Sequence, residues 1–120
     1  NLGVRILNDR FGIQVRGGCS CAGTYGHYLL NVDQQFSHSI TDKISRGDLT
    51  DKPEWIRMSI HPVMSNAEVQ YIADAIKALA DNHHACAKDY DYHPRPNEFH
   101  HRNAIGTETG LVADWFSPEL

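Results

Sequence analysis

The sequence predicts a small α/β protein of the α+β, two-layer kind, a short-stranded sheet with helices packed on it. Three observations carry this. Apolar residues recur at helical spacing in separate stretches, at Val4, Leu7 and Phe11 and again at Val69, Ile72, Ala73, Ile76 and Leu79. Two runs too short for helices, 13–16 and 55–60, are bounded by glycine or proline and read as strands. Helices and strands alternate in the order helix, strand, helix, strand, helix.

Taking the elements in order, residues 2–10 form an amphipathic helix, with Arg5, Asn8, Asp9 and Arg10 mostly filling the face opposite Val4, Leu7 and Phe11. Gly12 is its stop, and the strand over 13–16 follows. The Gly17-Gly18 pair breaks that strand and opens a loop carrying Cys19 and Cys21, flanked by Ala22 and Gly23. Small residues on both sides let backbone or a ligand come close to a thiol. A short helix carrying His27 is expected over 26–30. A longer one is expected over 34–45, with Asp33 as N-cap and Gly47 as stop.

A polar loop at 48–53 leads into the strand over 55–60, ended by His61-Pro62. Ser65-Asn66-Ala67-Glu68 fits a capping box, and the helix it opens is expected to run to about Ala80. Beyond Asp81 the periodicity fades. Residues 81–102 hold five of the eight histidines together with Pro94 and Pro96, and read as a surface excursion or tail. One last docking turn is expected over 110–116, anchored by Trp115 and Phe116. A sheet of two short strands is marginal, so a third is expected, from the histidine-rich stretch or from sequence upstream.

A chain of 120 residues suits one domain with its own core, and 41% apolar with 22% charged residues is ordinary globular composition. A net charge of −4 gives no electrostatic case for binding nucleic acid or an anionic membrane. No apolar run is long enough to span a bilayer. Three cysteines are too few for a disulfide framework, so a cytoplasmic protein with reduced thiols is expected. The chain starts at Asn1 and enters helical sequence at once, which leads us to expect a fragment of a longer protein.

The residues that suggest chemistry cluster around the glycine loop. Cys21 lies on a loop with Arg16 before it and His27 six residues after it, and positive charge with partial exposure raises thiolate character. Three readings stand: a nucleophilic thiol, a pair of semi-buried thiols in a tight turn, or a zinc site using Cys19, Cys21 and His27. C-x-C is a weak zinc signal, and no second C-x-x-C or H-x-x-x-H completes it, so no metal is expected. The pairs His83-His84 and His100-His101 diverge on any regular element and read as solvated surface. Arg57, inside the strand over 55–60, either faces solvent or holds a carboxylate through two parallel hydrogen bonds.

The segment RGGCSCAG at 16–23, then WIRMSIHP at 55–62, then SNAEVQYIADAIKALA resembles the C-terminal small domain of class V aminotransferases. These pyridoxal-phosphate enzymes of fold type I include the cysteine desulfurases. Coverage is about residues 2–80, giving a small domain over 1–80 and a C-terminal extension of unassigned role over 81–120. The resemblance implies a mostly antiparallel sheet with helices on one face. Gly18-Cys19-Ser20-Cys21 matches the family's G-x-x-C loop and implies that Cys21 carries a persulfide. Ile56-Arg57-Met58-Ser59-Ile60 matches the family's I-R-x-S-[LI] strand and implies that Arg57 grips the substrate α-carboxylate. Cys19, His27 and Arg16 become accessory residues, Cys19 as a second sulfur acceptor or as packing.

The resemblance further implies an amino-acid substrate, a homodimer, and pyridoxal phosphate held by a separate large domain that bears the Schiff-base lysine. No cofactor is then expected on these 120 residues alone, and the isolated chain is expected to be inactive. Aminotransferase or lyase chemistry on another amino acid is the alternative within the family. A metal- or partner-binding module using Cys19, Cys21 and the histidines is the alternative outside it.

Overall fold

The computed structural model describes residues 1–18 and 23–103, together with Val112 and Trp115. Among the described residues lie four α-helices and one two-stranded antiparallel sheet, making a small α+β protein. Cys19 and Cys21 fall outside them, as does most of the turn expected over 110–116. Trp115, expected as an anchor, is 76% exposed.

Helix α1 (Leu2–Phe11) ends where expected, with Gly12 in the left-handed region at φ 64°. The N–H groups of Gly12 and Ile13 donate to the Asn8 and Leu7 carbonyls, both at 3.0 Å. Its deepest side chains are the adjacent Ile6 and Leu7, 0% and 1% exposed. Burying neighbours on a helix requires cover on two sides. Ile6 enters the cluster formed with Cys86 and Tyr90, while the chain after Gly12 folds back along the Val4 side, where Gly17 lies against Val4 Cγ2.

Helix α2 (Gly23–Leu29) starts earlier than the expected 26–30. Helix α3 (Gln34–Ser45) keeps its expected bounds, and the Asp33 carboxylate accepts from the Phe36 N–H at 2.7 Å. Helix α4 (Asn66–Cys86) opens on the expected capping box. Ser65 Oγ accepts from the Glu68 N–H at 3.3 Å, and Glu68 Oε2 accepts from the Ser65 N–H at 2.7 Å.

Helix α4 does not stop near Ala80. Its next turn is solvated and polar, tied by the Lys77–Asp81 ion pair at 2.7 Å and by Asn82 donating to the Ala78 carbonyl at 2.9 Å. The apolar stripe therefore fades while the helix continues to Cys86, which is buried on the same face as Ala75 about three turns earlier.

The histidine-rich stretch is structured. Strand β1 (Tyr90–His93) and strand β2 (Glu98–His101) form an antiparallel hairpin in which Tyr90 faces His101 and His93 faces Glu98. Tyr90 is 4% exposed and packs with Ile6 and Cys86, while its hydroxyl donates to Asp9 Oδ2 at 2.9 Å. Burial and the Asp9 carboxylate both hold that hydroxyl well above the usual tyrosine range. An Arg10–Asp89 ion pair closes the same joint between α1 and the chain entering the hairpin.

The two runs read as strands in the sequence do not form a ladder of their own. They meet only in one antiparallel bridge, Arg16 with Arg57. The histidine-rich stretch forms a separate hairpin, so among the described residues no strand extends that pairing, and two short strands hold little regular structure. Ile56 and Ile60 are left 40% and 54% exposed. No helix among the described residues is long and apolar enough to cross a membrane.

Candidate functional site

The residues that the sequence singles out meet around the Arg16–Arg57 bridge. The Arg16 N–H donates to the Arg57 carbonyl at 3.0 Å, and the Arg57 N–H donates to the Arg16 carbonyl at 2.7 Å. One step along, the Trp55 N–H reaches the Gly18 carbonyl at 3.5 Å, so the pairing keeps one register across 16–18 and 55–57. Directly opposed residues of an antiparallel pair project from the same face, and so do residues two apart on one strand. Arg16, Arg57 and Trp55 therefore share a face.

Both arginines are exposed. Among the described residues the carboxylates pair with other groups, namely the N-terminus, Arg10, Lys43, Lys77, the His100 ring and Arg102. Two guanidinium groups thus stand opposite each other, and no carboxylate among the described residues pairs with either. Like charges so placed repel by about 0.2–1 kcal/mol. An incoming anion removes that repulsion and finds fork-shaped donors on a fixed backbone.

Helix α2 is held over this face by Trp55. Gly26 is buried beneath the indole, and a β-carbon there would overlap Cζ3 and come within 2.9 Å of Cη2. Tyr25 meets the same ring edge-on, with centroids 6.5 Å apart. The contact seats His27, half-buried, beside a cavity of about 130 Å³ lined by Gly26, Ile40, Lys52 and Trp55. His27 Nδ1 lies 3.4 Å from Ser37 Oγ, which ties α2 to α3.

Gly18, the last described residue before the cysteines, has φ 97°, a conformation that side-chain-bearing residues rarely adopt. Cys19 and Cys21 lie between Gly18 and Gly23, outside the described residues. The structure therefore brings Arg16 to Arg57 and sets His27 on the helix packed against Trp55, while the two thiols are known by sequence position alone.

Two features were not legible beforehand. The packing of Gly26 on Trp55 joins residues far apart in the chain and has no sequence signal. An open apolar groove of about 520 Å³ lies beside Met58 and Ser59, between Phe11 at the end of α1 and Tyr71 and Ile72 of α4. The Tyr71 hydroxyl donates to the Phe11 carbonyl at 2.9 Å and braces it. Comparison of the chain with family models, with curated proteins and with solved structures found no match.

Proposed function

We propose that this chain is the small domain of a cytoplasmic pyridoxal-phosphate enzyme of the class V aminotransferase kind, with cysteine desulfuration as its chemistry. Arg57 binds the carboxylate of the amino-acid substrate, Arg16 assists it, and Cys21 accepts the substrate sulfur as a persulfide. The observation that carries this reading is the antiparallel pairing of Arg16 with Arg57. It joins the base of the cysteine loop to the arginine of the I-R-x-S-I run, so a carboxylate held there lies beside the start of that loop. Fixing the carboxylate on backbone-anchored guanidinium groups sets the substrate's orientation before reaction.

Of the four described lysines, Lys43 and Lys77 are engaged in ion pairs and do not fit the cofactor. Lys43 is bonded to Asp51, whose hydrogen bond and charge hold the ammonium above the usual lysine range. Lys77 is paired with Asp81. An imine-forming lysine needs the opposite, a neutral amine of lowered pKa. Pyridoxal phosphate, which withdraws electrons from a bound amino acid, belongs in this reading to a separate domain, as the family resemblance implies. Apolar side chains open to solvent support a covering partner surface, with Tyr28 85% exposed next in sequence to the half-exposed Leu29 and Leu30.

The test is kinetic, in the intact enzyme. Arg57→Lys should raise KM for the amino acid strongly, because an ammonium cannot reproduce a two-pronged contact. Arg57→Ala should cost at least as much, about 2–5 kcal/mol once substrate and partner domain bury the contact. Unchanged kinetics in both variants would remove Arg57 from the site and the family reading with it.

A further inference from the structure

The small cavity beside His27 combines apolar walls with two nitrogen donors. Ile40, Ile44, Pro53 and Trp55 supply the walls of a space of about 130 Å³. Ile40 is buried, so the space reaches the packed side of α3. The donors are His27 from α2 and Lys52 from the loop that leads into Trp55, and both residues are half-buried. Among the described residues that line the cavity none is an aspartate or glutamate.

The donors are left without a protein acceptor. Among the described residues Lys52 enters no ion pair, unlike Lys43 and Lys77. The carboxylates nearest to it in sequence are engaged elsewhere. Asp51 pairs with Lys43, Asp48 accepts from Thr50 Oγ1 at 2.6 Å, and Glu54 lies 3.8 Å from the N-terminal ammonium. A half-buried ammonium with no partner has lost water and gains from an incoming negative charge. His27 Nδ1 lies 3.4 Å from Ser37 Oγ. When that hydroxyl donates, the ring proton sits on Nε2, which has no hydrogen-bond partner among the described residues.

The frame around the donors is fixed. Pro53 holds the Lys52 backbone extended, and the Lys52 N–H donates to the Leu49 carbonyl at 3.2 Å. The packing of Gly26 on Trp55 seats α2, and the His27–Ser37 contact ties it to α3.

We propose that this cavity binds a short-chain aliphatic monocarboxylate, with the carboxylate between Lys52 and His27 and the alkyl chain against Ile40 and Trp55. A space of about 130 Å³ equals roughly four waters at about 30 Å³ each, which suits an acid of about two to four carbons. The apolar walls disfavour a bare oxyanion such as sulfate, whose oxygens would be buried without donors. Neither Arg57 nor the cysteine loop takes part, so binding here is independent of the family reading.

The experiment titrates sodium acetate, propionate and butyrate into the full chain at constant ionic strength, followed by NMR. In the unsubstituted chain, saturable shifts of the His27 ring and Lys52 side-chain resonances are expected, with one site per chain. Affinity should rise by about fourfold for each methylene added from acetate to butyrate. Butyramide, of the same shape without the charge, should bind about tenfold more weakly or worse. Lys52→Met should weaken butyrate by about tenfold or more and leave butyramide little changed, which separates loss of charge from loss of fold. Lys77→Met, which removes an ammonium already paired with Asp81, should bind butyrate as the parent does. Absence of a saturable shift, equal affinity for butyrate and butyramide, sulfate binding as well as butyrate, or full affinity in Lys52→Met would each overturn the proposal.

Discussion

Gly26→Ala tests whether α2 is seated on Trp55. In an exposed helix the change would stabilise by about 0.8–1.0 kcal/mol, the usual difference in helix propensity between glycine and alanine. Here the added β-carbon would overlap Trp55 Cζ3 and lie 2.9 Å from Cη2. Moving the ring aside would also give up its edge-on contact with Tyr25. Overpacking of this kind costs about 1–3 kcal/mol, and a rigid ring belongs at the upper end. Set against the propensity gain, the net destabilisation is about 1–2 kcal/mol. With a urea slope of about 1–3 kcal/mol/M, the midpoint should fall by roughly 0.3–2 M.

The natural control is Gly23→Ala in the same helix, where a β-carbon meets nothing within 4 Å among the described residues. That variant should be neutral or slightly more stable. The assay is urea unfolding followed by far-UV circular dichroism, with tryptophan emission as a local probe. Of the two tryptophans, Trp115 is already 76% exposed, so a change in emission reports chiefly on Trp55. If Gly26→Ala is stabilised as much as Gly23→Ala with unchanged emission, α2 does not rest on the indole and the site loses its cover.

Ser65→Ala should cost about 1 kcal/mol by removing the cap that the Glu68 N–H uses, measured by thermal or urea unfolding. Hydrogen bonds from Ser65 hold the Glu68 carboxyl below its ordinary range. The part that comes from Ser65 Oγ donating to the Glu68 carboxylate is complete above the unfolded glutamate pKa of about 4.3 and is lost as pH falls through the lowered folded value, while the cap on the Glu68 N–H does not titrate, so the gap between parent and variant should narrow in acid without closing. The chain of residues 1–120, incubated with pyridoxal phosphate, should develop no protein-bound cofactor absorbance and no turnover; a lysine of this chain found modified after borohydride reduction would refute this. In the intact enzyme, Cys21→Ser should abolish sulfur release from cysteine while amino-acid binding persists, with Cys19→Ser much milder. Full turnover of another amino acid in Cys21→Ser would point to transaminase or lyase chemistry, and a dead Cys19→Ser would shift the sulfur role to that residue.

What the chain determines by itself lies within a few residues of where it is read. Ser65 with Glu68, Asp33 with Phe36, and Gly12 at φ 64° are helix boundaries settled by hydrogen bonds inside one turn. They were legible because a cap needs only its own neighbours. The coarse α+β class followed from the same local periodicities. Arg16 and Arg57 stood out in the sequence as residues, but the pairing that brings them together did not.

Tertiary structure decided the rest. Ile6 lies off the helical face that spacing selected, yet is fully buried, because α1 is covered on two sides by Tyr90 and by its own returning chain. The polar turn after Asp81 reads as the end of a helix, yet Cys86 beyond it needs that turn to reach the core. Strands of four residues around two prolines carry too little pattern to announce a hairpin, and only docking of Tyr90 and Phe99 makes one. Arg16 finds Arg57 through a register set by long-range pairing. Closing such distances costs chain entropy that only partner surfaces elsewhere in the fold repay, and no window of neighbouring residues contains that information.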